Sequence, residues 1–316
     1  MAIGVEKNVI ALSSFAAMKG QVKAHLAVIG ANLIFGASYS IVKIITPAYL
    51  PAFALNAARV IVAIVLFTIS FLAGRGRAWP AKKDLPLLLI CSLTGIVLNQ
   101  LFFIKGVSLT SPIHSSLLSL ATPLFITGIA AWLLKEKFSS LKAIGLMLGL
   151  TGAGLLILLK GEGTDATASL AGDIMVLINA ISYSFYLVLV KPLMSQYEGT
   201  DILRWLFLLG ALVILPLGTP DLVNTSFAHW PASAWLALLF VTIGATFLAY
   251  LFNMYGISRL GAAATGSYIY TQPIFATLIA VLFFGDRLTM QRILAAMLII
   301  GGVFLTNYKK NQPPLG

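Results

Sequence analysis

Apolar residues fill long stretches of the chain, and charges, prolines and polar clusters mark where each stretch ends. A helix crosses a bilayer with ~20 apolar residues at ~1.5 Å each. Ten runs of about that length can be marked: 24–45, 51–73, 85–104, 108–134, 141–159, 171–191, 202–217, 233–255, 262–284 and 290–306. They are numbered α1 to α10 in that order. The turn between α3 and α4 is placed at Lys105 and Gly106, and that between α8 and α9 at 256–261. These separators are short, so hydropathy alone also allows nine or eleven spans. Residues 9–18 form a lesser apolar stretch, broken by Ser13 and Ser14 and followed by Lys19. That stretch is too short to span, and residues 1–23 read as a cytosolic tail.

Composition agrees with this pattern. Of 316 residues, 59% are apolar and 10% charged, and 27 are glycine; with glycine counted the apolar share is about 68%, where soluble domains average about 45–50% apolar on that basis and about 25% charged. Mean hydropathy is +0.96. With 21 basic and 10 acidic side chains, the chain cannot cover a soluble surface of this size. A soluble globule, a disordered chain and a nucleic-acid binder are excluded. The single cysteine, Cys91, excludes a disulfide framework and a cysteine-based metal site.

The net charge of +11 therefore reports orientation. With the N-terminus in the cytosol, fifteen Lys and Arg residues fall at inside ends and five at outside ends. Both termini are expected inside, in the plasma membrane (a bacterial inner membrane). Arg287 and Arg292 run against this rule.

The chain repeats itself. Residues 98–155 align with 248–305 without a gap, with fourteen identities in 58 positions. The shared spacing includes Pro123 with Pro273, Glu136-Lys137 with Asp286-Arg287, and Gly152 with Gly302. Near offset 147, Asn32 matches Asn179 and Tyr39 matches Tyr186. Each copy holds five spans, so the second enters the membrane from the opposite side. The expected fold is an all-α polytopic membrane protein of ten transmembrane helices, built as two inverted-topology repeats. The halves are 24–159 and 171–306, joined by an outer linker at 160–170 and followed by a cytosolic tail at 307–316.

LATPLFITGIAAWLLKEKFSSLKAIGLMLGLTGAG and YTQPIFATLIAVLFFGDRLTMQRILAAMLIIGG resemble the end of the EamA-type domain, once in each half. GASYSIVKII and LNAARVIVAIVLF fit its start. Over about 27–306 the chain resembles a ten-helix, two-domain EamA-type member of the drug/metabolite transporter superfamily. That resemblance implies efflux or exchange of small metabolites such as amino acids, with nucleoside- and sugar-type solutes in distant branches.

Polar groups inside spans are costly and mark function or interhelical bonding. In α4, Ser115, Ser116, Ser119, Thr122, Pro123 and Thr127 share an arc of roughly 140°. Tyr270, Gln272 and Pro273 belong to the matching arc of α9. Further stripes carry Asn32 and Tyr39 in α1, Asn99 in α3, Asn179, Tyr183 and Tyr186 in α6, and Asn253 in α8. The economical reading is one cavity; the alternative is dry hydrogen bonding between helices. The expected substrate-binding residues are Asn32, Tyr39, Arg59, Asn99, Ser119, Thr122, Asn179, Tyr183, Tyr186, Asn253, Tyr270 and Gln272. Tyr250, Tyr268 and Trp205 are added as candidate walls. Pro123 and Pro273 interrupt equivalent helices, the best sequence pointer to a transporter site, and are expected hinges. They should leave the carbonyls of Ser119 and Ile269 without partners.

Arg59 is the one charge well inside a span, and two readings stand. It anchors a substrate carboxylate or phosphate, or it is a structural arginine bonded to carbonyls. His114 is the one intramembrane histidine and a candidate for coupling, although its helical angle points away from Ser119. No carboxylate lies at comparable depth, Asp173 at the outer end of α6 excepted. No HExxH, nucleophile elbow or paired aspartates are present, so an enzyme is not expected. No metal or cofactor is expected. The partners expected are a small-molecule substrate and the lipid bilayer, with no nucleic acid. Gly145 and Gly149 permit close helix approach, within the chain or in a homodimer through α5 or α10. The reading is a secondary transporter of a small polar metabolite, an amino acid or similar, with export favoured. It works by alternating access at a midplane site between the repeats. The alternatives are a channel or exchanger for sugar- or nucleotide-type metabolites, and a membrane receptor or scaffold.

Overall fold

The computed structural model describes residues 2–73, 79–133, 135, 139–158, 169–260 and 262–307, with side chains given from Gly20 onward. The C-terminal tail beyond Asn307, most of the expected linker and the Glu136-Lys137 pair lie outside the described residues.

Among the described residues, ten apolar helices make up the bundle. They are α1 (Ala2–Ile45, its apolar part Gly20–Ile45), α2 (Ala52–Ala73), α3 (Lys82–Leu109), α4 (Pro112–Leu133) and α5 (Ser140–Leu158), then α6 (Leu170–Leu189), α7 (Gly199–Val223), α8 (Ala232–Leu260), α9 (Thr265–Phe284) and α10 (Met290–Asn307). Eight are long and apolar enough to cross a membrane; the apolar stretches of α5 and α10 are shorter. Large apolar side chains such as Trp132, Leu212 and Phe283 stand exposed on the outside of the bundle. Lipid is the solvent that fits that surface, because helices satisfy their backbone groups internally.

Two expected turns are displaced. The chain stays helical through Lys105 and Gly106 and ends α3 at Leu109. Pro112 sets the break, because the residue before a proline is driven out of the helical region. Ser111 is accordingly extended, and its hydroxyl caps α4 by accepting from the His114 N–H at 3.2 Å. Helix α8 likewise runs through Gly256 to Leu260. In both places an intramembrane glycine provides close packing rather than a turn. A Cβ on Gly106 would lie 3.1 Å from the Gly172 carbonyl oxygen, and one on Gly256 would run into Val28.

Those two contacts are related by the repeat, and so is the packing. Helix α1 lies against α8 and α9 of the second half, and α6 lies against α3 and α4 of the first. Extensive interfaces also pair α5 with α10 and α2 with α7. On α10, a Cβ at Gly302 would lie 2.5 Å from the Gly145 oxygen. The glycine face named above as an intramolecular or dimer seam is thus occupied within the chain.

The irregularities repeat too. Helix α3 winds as a π-helix over Leu93–Leu98, and α8 over Phe240–Leu248. Helix α4 breaks at Leu120 and Ala121 just before Pro123. Helix α9 tightens to a 3₁₀ turn at Tyr268–Thr271 just before Pro273. The carbonyls ahead of the prolines are not orphaned. The Thr122 hydroxyl donates to the Ser119 carbonyl at 2.7 Å, and the Gln272 N–H bonds to the Ile269 carbonyl.

Candidate functional site

Among the described residues, two adjoining chambers lie between the halves. The inner one measures about 90 Å³ and is lined from α1, α2, α3, α4, α6, α8 and α9. The outer one measures about 550 Å³ and is lined by Lys191, Ile257, Thr265 and Phe304, among others. Those residues sit where α6, α8 and α10 end and α9 begins. The outer chamber is therefore a vestibule at the face from which α1 enters. Tyr183 and Ile269 border both chambers. Asn253 donates to the Tyr183 hydroxyl at 3.2 Å and fixes that ring at the boundary.

Eight expected residues converge on the inner chamber: Tyr39, Arg59, Asn99, Ser119, Thr122, Asn179, Tyr183 and Gln272. Asn253, Tyr270 and Pro123 line the vestibule instead. Asn32 and Tyr186 line neither. Asn32 faces α9, where its Oδ1 accepts from Gln272 Nε2 at 2.8 Å. The reason is Gly36 one turn later, which draws α1 onto α9: a Cβ there would lie 2.9 Å from the Gln272 carbonyl oxygen. Tyr186 is buried against Gly95 of α3, where an added Cβ would lie 2.6 Å from its ring. Pro273 is buried at the start of the regular part of α9 and borders neither chamber. Trp205 packs against Trp79, away from both chambers.

The inner chamber centres on Arg59, which is 5% exposed. Its Nε donates to Thr246 Oγ1 at 2.8 Å, and that hydroxyl donates on to the Val241 carbonyl at 2.7 Å. The second bond spans five residues, so the π-helical winding of α8 is what orients Thr246 toward the guanidinium. Nη1 of Arg59 has no hydrogen-bond partner. No carboxylate is among the residues lining the chamber. Asn179 donates to the Asn99 carbonyl at 2.8 Å and ties α6 to α3. Sequence reading overlooked Phe35 and Ile269, whose apolar side chains carry no signal; Tyr250, a candidate wall, and Phe103, on the α3 stripe, do line the chamber.

Toward the opposite face, polar contacts tie the helices together. The Tyr39 hydroxyl donates to Ser119 Oγ at 2.9 Å, closing α1 onto α4. Beyond it, Lys43 Nζ donates to the Ser108 carbonyl at 3.1 Å. Thr110 donates to Asp173 Oδ1 at 2.9 Å, and His114 Nε2 lies 3.3 Å from the same oxygen. His114 borders neither chamber. Its carboxylate partner is far away in sequence, so sequence reading left it alone. Arg292 is buried here, donating to the Arg287 carbonyl at 2.6 Å and to Ser111 Oγ at 3.3 Å. That engagement accounts for Arg292, whereas Arg287 contributes its carbonyl and keeps an exposed side chain against the orientation rule.

A multi-pass helical bundle of two inverted halves around a polar cavity has the architecture of a membrane transporter. The chain belongs to the EamA-like transporter family, which matches twice, over residues 22–158 and 170–308. It is 25% identical over 298 residues to a Bacillus subtilis protein named as the uncharacterized transporter YetK, covering 94% of this chain and 90% of that one. It is 25% identical over 228 residues to a Streptantibioticus cattleyicolor protein named as a probable terminal-alkyne amino-acid exporter, covering 72% of this chain and 75% of the other. A solved crystal structure superposes with a TM-score of 0.60 at 21% identity, covering 90% of this chain and 96% of that one; this last likeness concerns the fold.

Proposed function

We propose that this transporter carries a small polar metabolite of amino-acid type, in the direction of export. Cargo binds in the inner chamber, and the two halves alternate its access to the two faces. The observation that carries this reading is the asymmetry around Arg59. The chamber adjoins a wide vestibule at one face, at the boundary formed by Tyr183 and Ile269. Toward the other face it is closed by the Tyr39–Ser119 bond. An alternating-access carrier needs one open and one closed side at any moment, and an inverted repeat supplies a route to the mirror state. The likeness to an amino-acid exporter supports the substrate class. The excess of basic residues at the vestibule ends supports placing that face in the cytosol.

The test is counterflow in proteoliposomes loaded in turn with amino acids, sugars and nucleosides. Accumulation of labelled amino acid against matching unlabelled amino acid is expected. Flux that grows without saturation in substrate concentration would indicate a channel instead.

A further inference from the structure

We infer that the inner chamber recognises its cargo by a single carboxylate and makes no use of an amino group. Small monocarboxylates with an apolar body, 2-hydroxy acids among them, are then ligands on a par with the corresponding amino acids. This rests on the transport reading above and narrows it.

The argument starts from Arg59. A guanidinium keeps its charge in proteins, and an uncompensated charge within a membrane span is expensive. Arg59 is 5% exposed, is fixed on one edge by Thr246, and has Nη1 free of any hydrogen-bond partner. It borders the chamber, and no carboxylate lining that chamber neutralises it. The acid nearest in kind, Asp173, is engaged by Thr110 and His114 and borders neither chamber. The counter-charge therefore has to arrive with the cargo. A carboxylate matches the planar donor fork of a guanidinium. A phosphate monoester would bring a second negative charge, and among the described lining residues the inner chamber offers one cation.

The same inventory bears on the amino group. A cargo ammonium entering this chamber meets a like charge in Arg59 and no carboxylate. Hydroxyl and amide oxygens are its remaining polar partners, and these serve a neutral hydroxyl as well. Phe35, Phe103, Tyr183 and Tyr250 supply aromatic walls for the body of the ligand. An ammonium adds cost in desolvation without a specific partner.

The test uses the full chain, purified and reconstituted, with two matched series. One is leucine, its 2-hydroxy acid and leucinol; the other is phenylalanine, its 2-hydroxy acid and phenylalaninol. Binding is read by thermal stabilisation and exchange by counterflow. The hydroxy acids are expected within about tenfold of the amino acids in Kd, and the amino alcohols about 100-fold weaker or silent. Arg59→Gln and Arg59→Lys are expected to lose the carboxylate ligands, the lysine variant because it lacks the fork. The ligand series decides the matter even if neither variant folds. Binding of the amino alcohols, or of the amino acids without the hydroxy acids, overturns the inference and leaves the transport reading standing. If all six compounds fail while a neutral sugar or nucleoside is exchanged, the inference and the amino-acid substrate class fall together, and alternating-access transport alone stands. If nothing is exchanged, both fall.

Discussion

His114 on α4 and Asp173 on α6 meet toward the face opposite the vestibule, with Nε2 3.3 Å from Oδ1 and both side chains almost wholly buried. Thr110 donates to the same carboxylate oxygen, so three side chains fasten the start of α4 to the first turns of α6. The His114–Asp173 contact is not a hydrogen bond, since Nε2 has no hydrogen-bond partner, but removing Asp173 strands the Thr110 hydroxyl, at a cost of ~1–3 kcal/mol. His114→Ala and Asp173→Ala should each lower the thermal midpoint in detergent. The double variant should lose less than the sum, since both truncations break one interaction. Strict additivity in that four-protein cycle would mean the two groups do not act together.

Thr246 holds Arg59 from one side and its own helix from the other. Thr246→Val keeps the shape and deletes both bonds, stranding the guanidinium Nε. A loss of ~1–3 kcal/mol in stability is expected. Binding of the leucine 2-hydroxy acid should weaken with it. Thr246→Ser retains the hydroxyl and should restore both readouts. A serine variant as impaired as the valine variant would assign the effect to the methyl group.

Gly301 and Gly302 are neighbours with opposite surroundings. At Gly302 a Cβ would lie 2.5 Å from the Gly145 oxygen and 2.6 Å from the Gly149 nitrogen, which are backbone atoms that cannot swing aside. At Gly301 the nearest atom is a leucine methyl at 3.7 Å. Gly302→Ala should therefore cost ~1–3 kcal/mol by forcing α5 and α10 apart. Gly301→Ala should be neutral or slightly stabilising through helix propensity. Paired melting curves check this directly.

Pro123 and Pro273 fix equivalent breaks in α4 and α9. An alanine at either site supplies an N–H to the carbonyl four residues earlier and lets the helix run straight. The double substitution should leave a folded, monodisperse protein and slow counterflow by about an order of magnitude, because the bend is part of the moving element. An unchanged rate would make the breaks features of packing alone.

Much of the architecture was legible because apolar length and the offset of 150 residues are one-dimensional signals. The displaced turns show where that stops. Lys105 and Gly106 look like a loop, yet Gly106 is the seat of α6. Only the neighbouring helix distinguishes a turn glycine from a contact glycine. In the site, polar stripes led to most of the inner chamber, but helical angle cannot tell which neighbour a face meets. Asn32 and Tyr186 fell on the expected stripes and were claimed by Gln272 and Gly95 instead. The His114–Asp173 pair was invisible for a related reason, because its two helices come together only in the folded bundle.

Helix α1 seats mainly on α8 and α9, and within the first half it has only the lighter contacts of Tyr39 with Ser119 and Lys43 with Ser108 to hold it until those helices are made. Helix α6, by contrast, meets a finished bed in α3 and α4 as soon as it inserts. Biogenesis is then expected to be lopsided despite the symmetry, with most of the α1 interface completed only after α8 and α9 insert. A nascent chain stalled after α5 would display the Gly36 face of α1 to lipid, a mark by which membrane quality control could recognise the unfinished product.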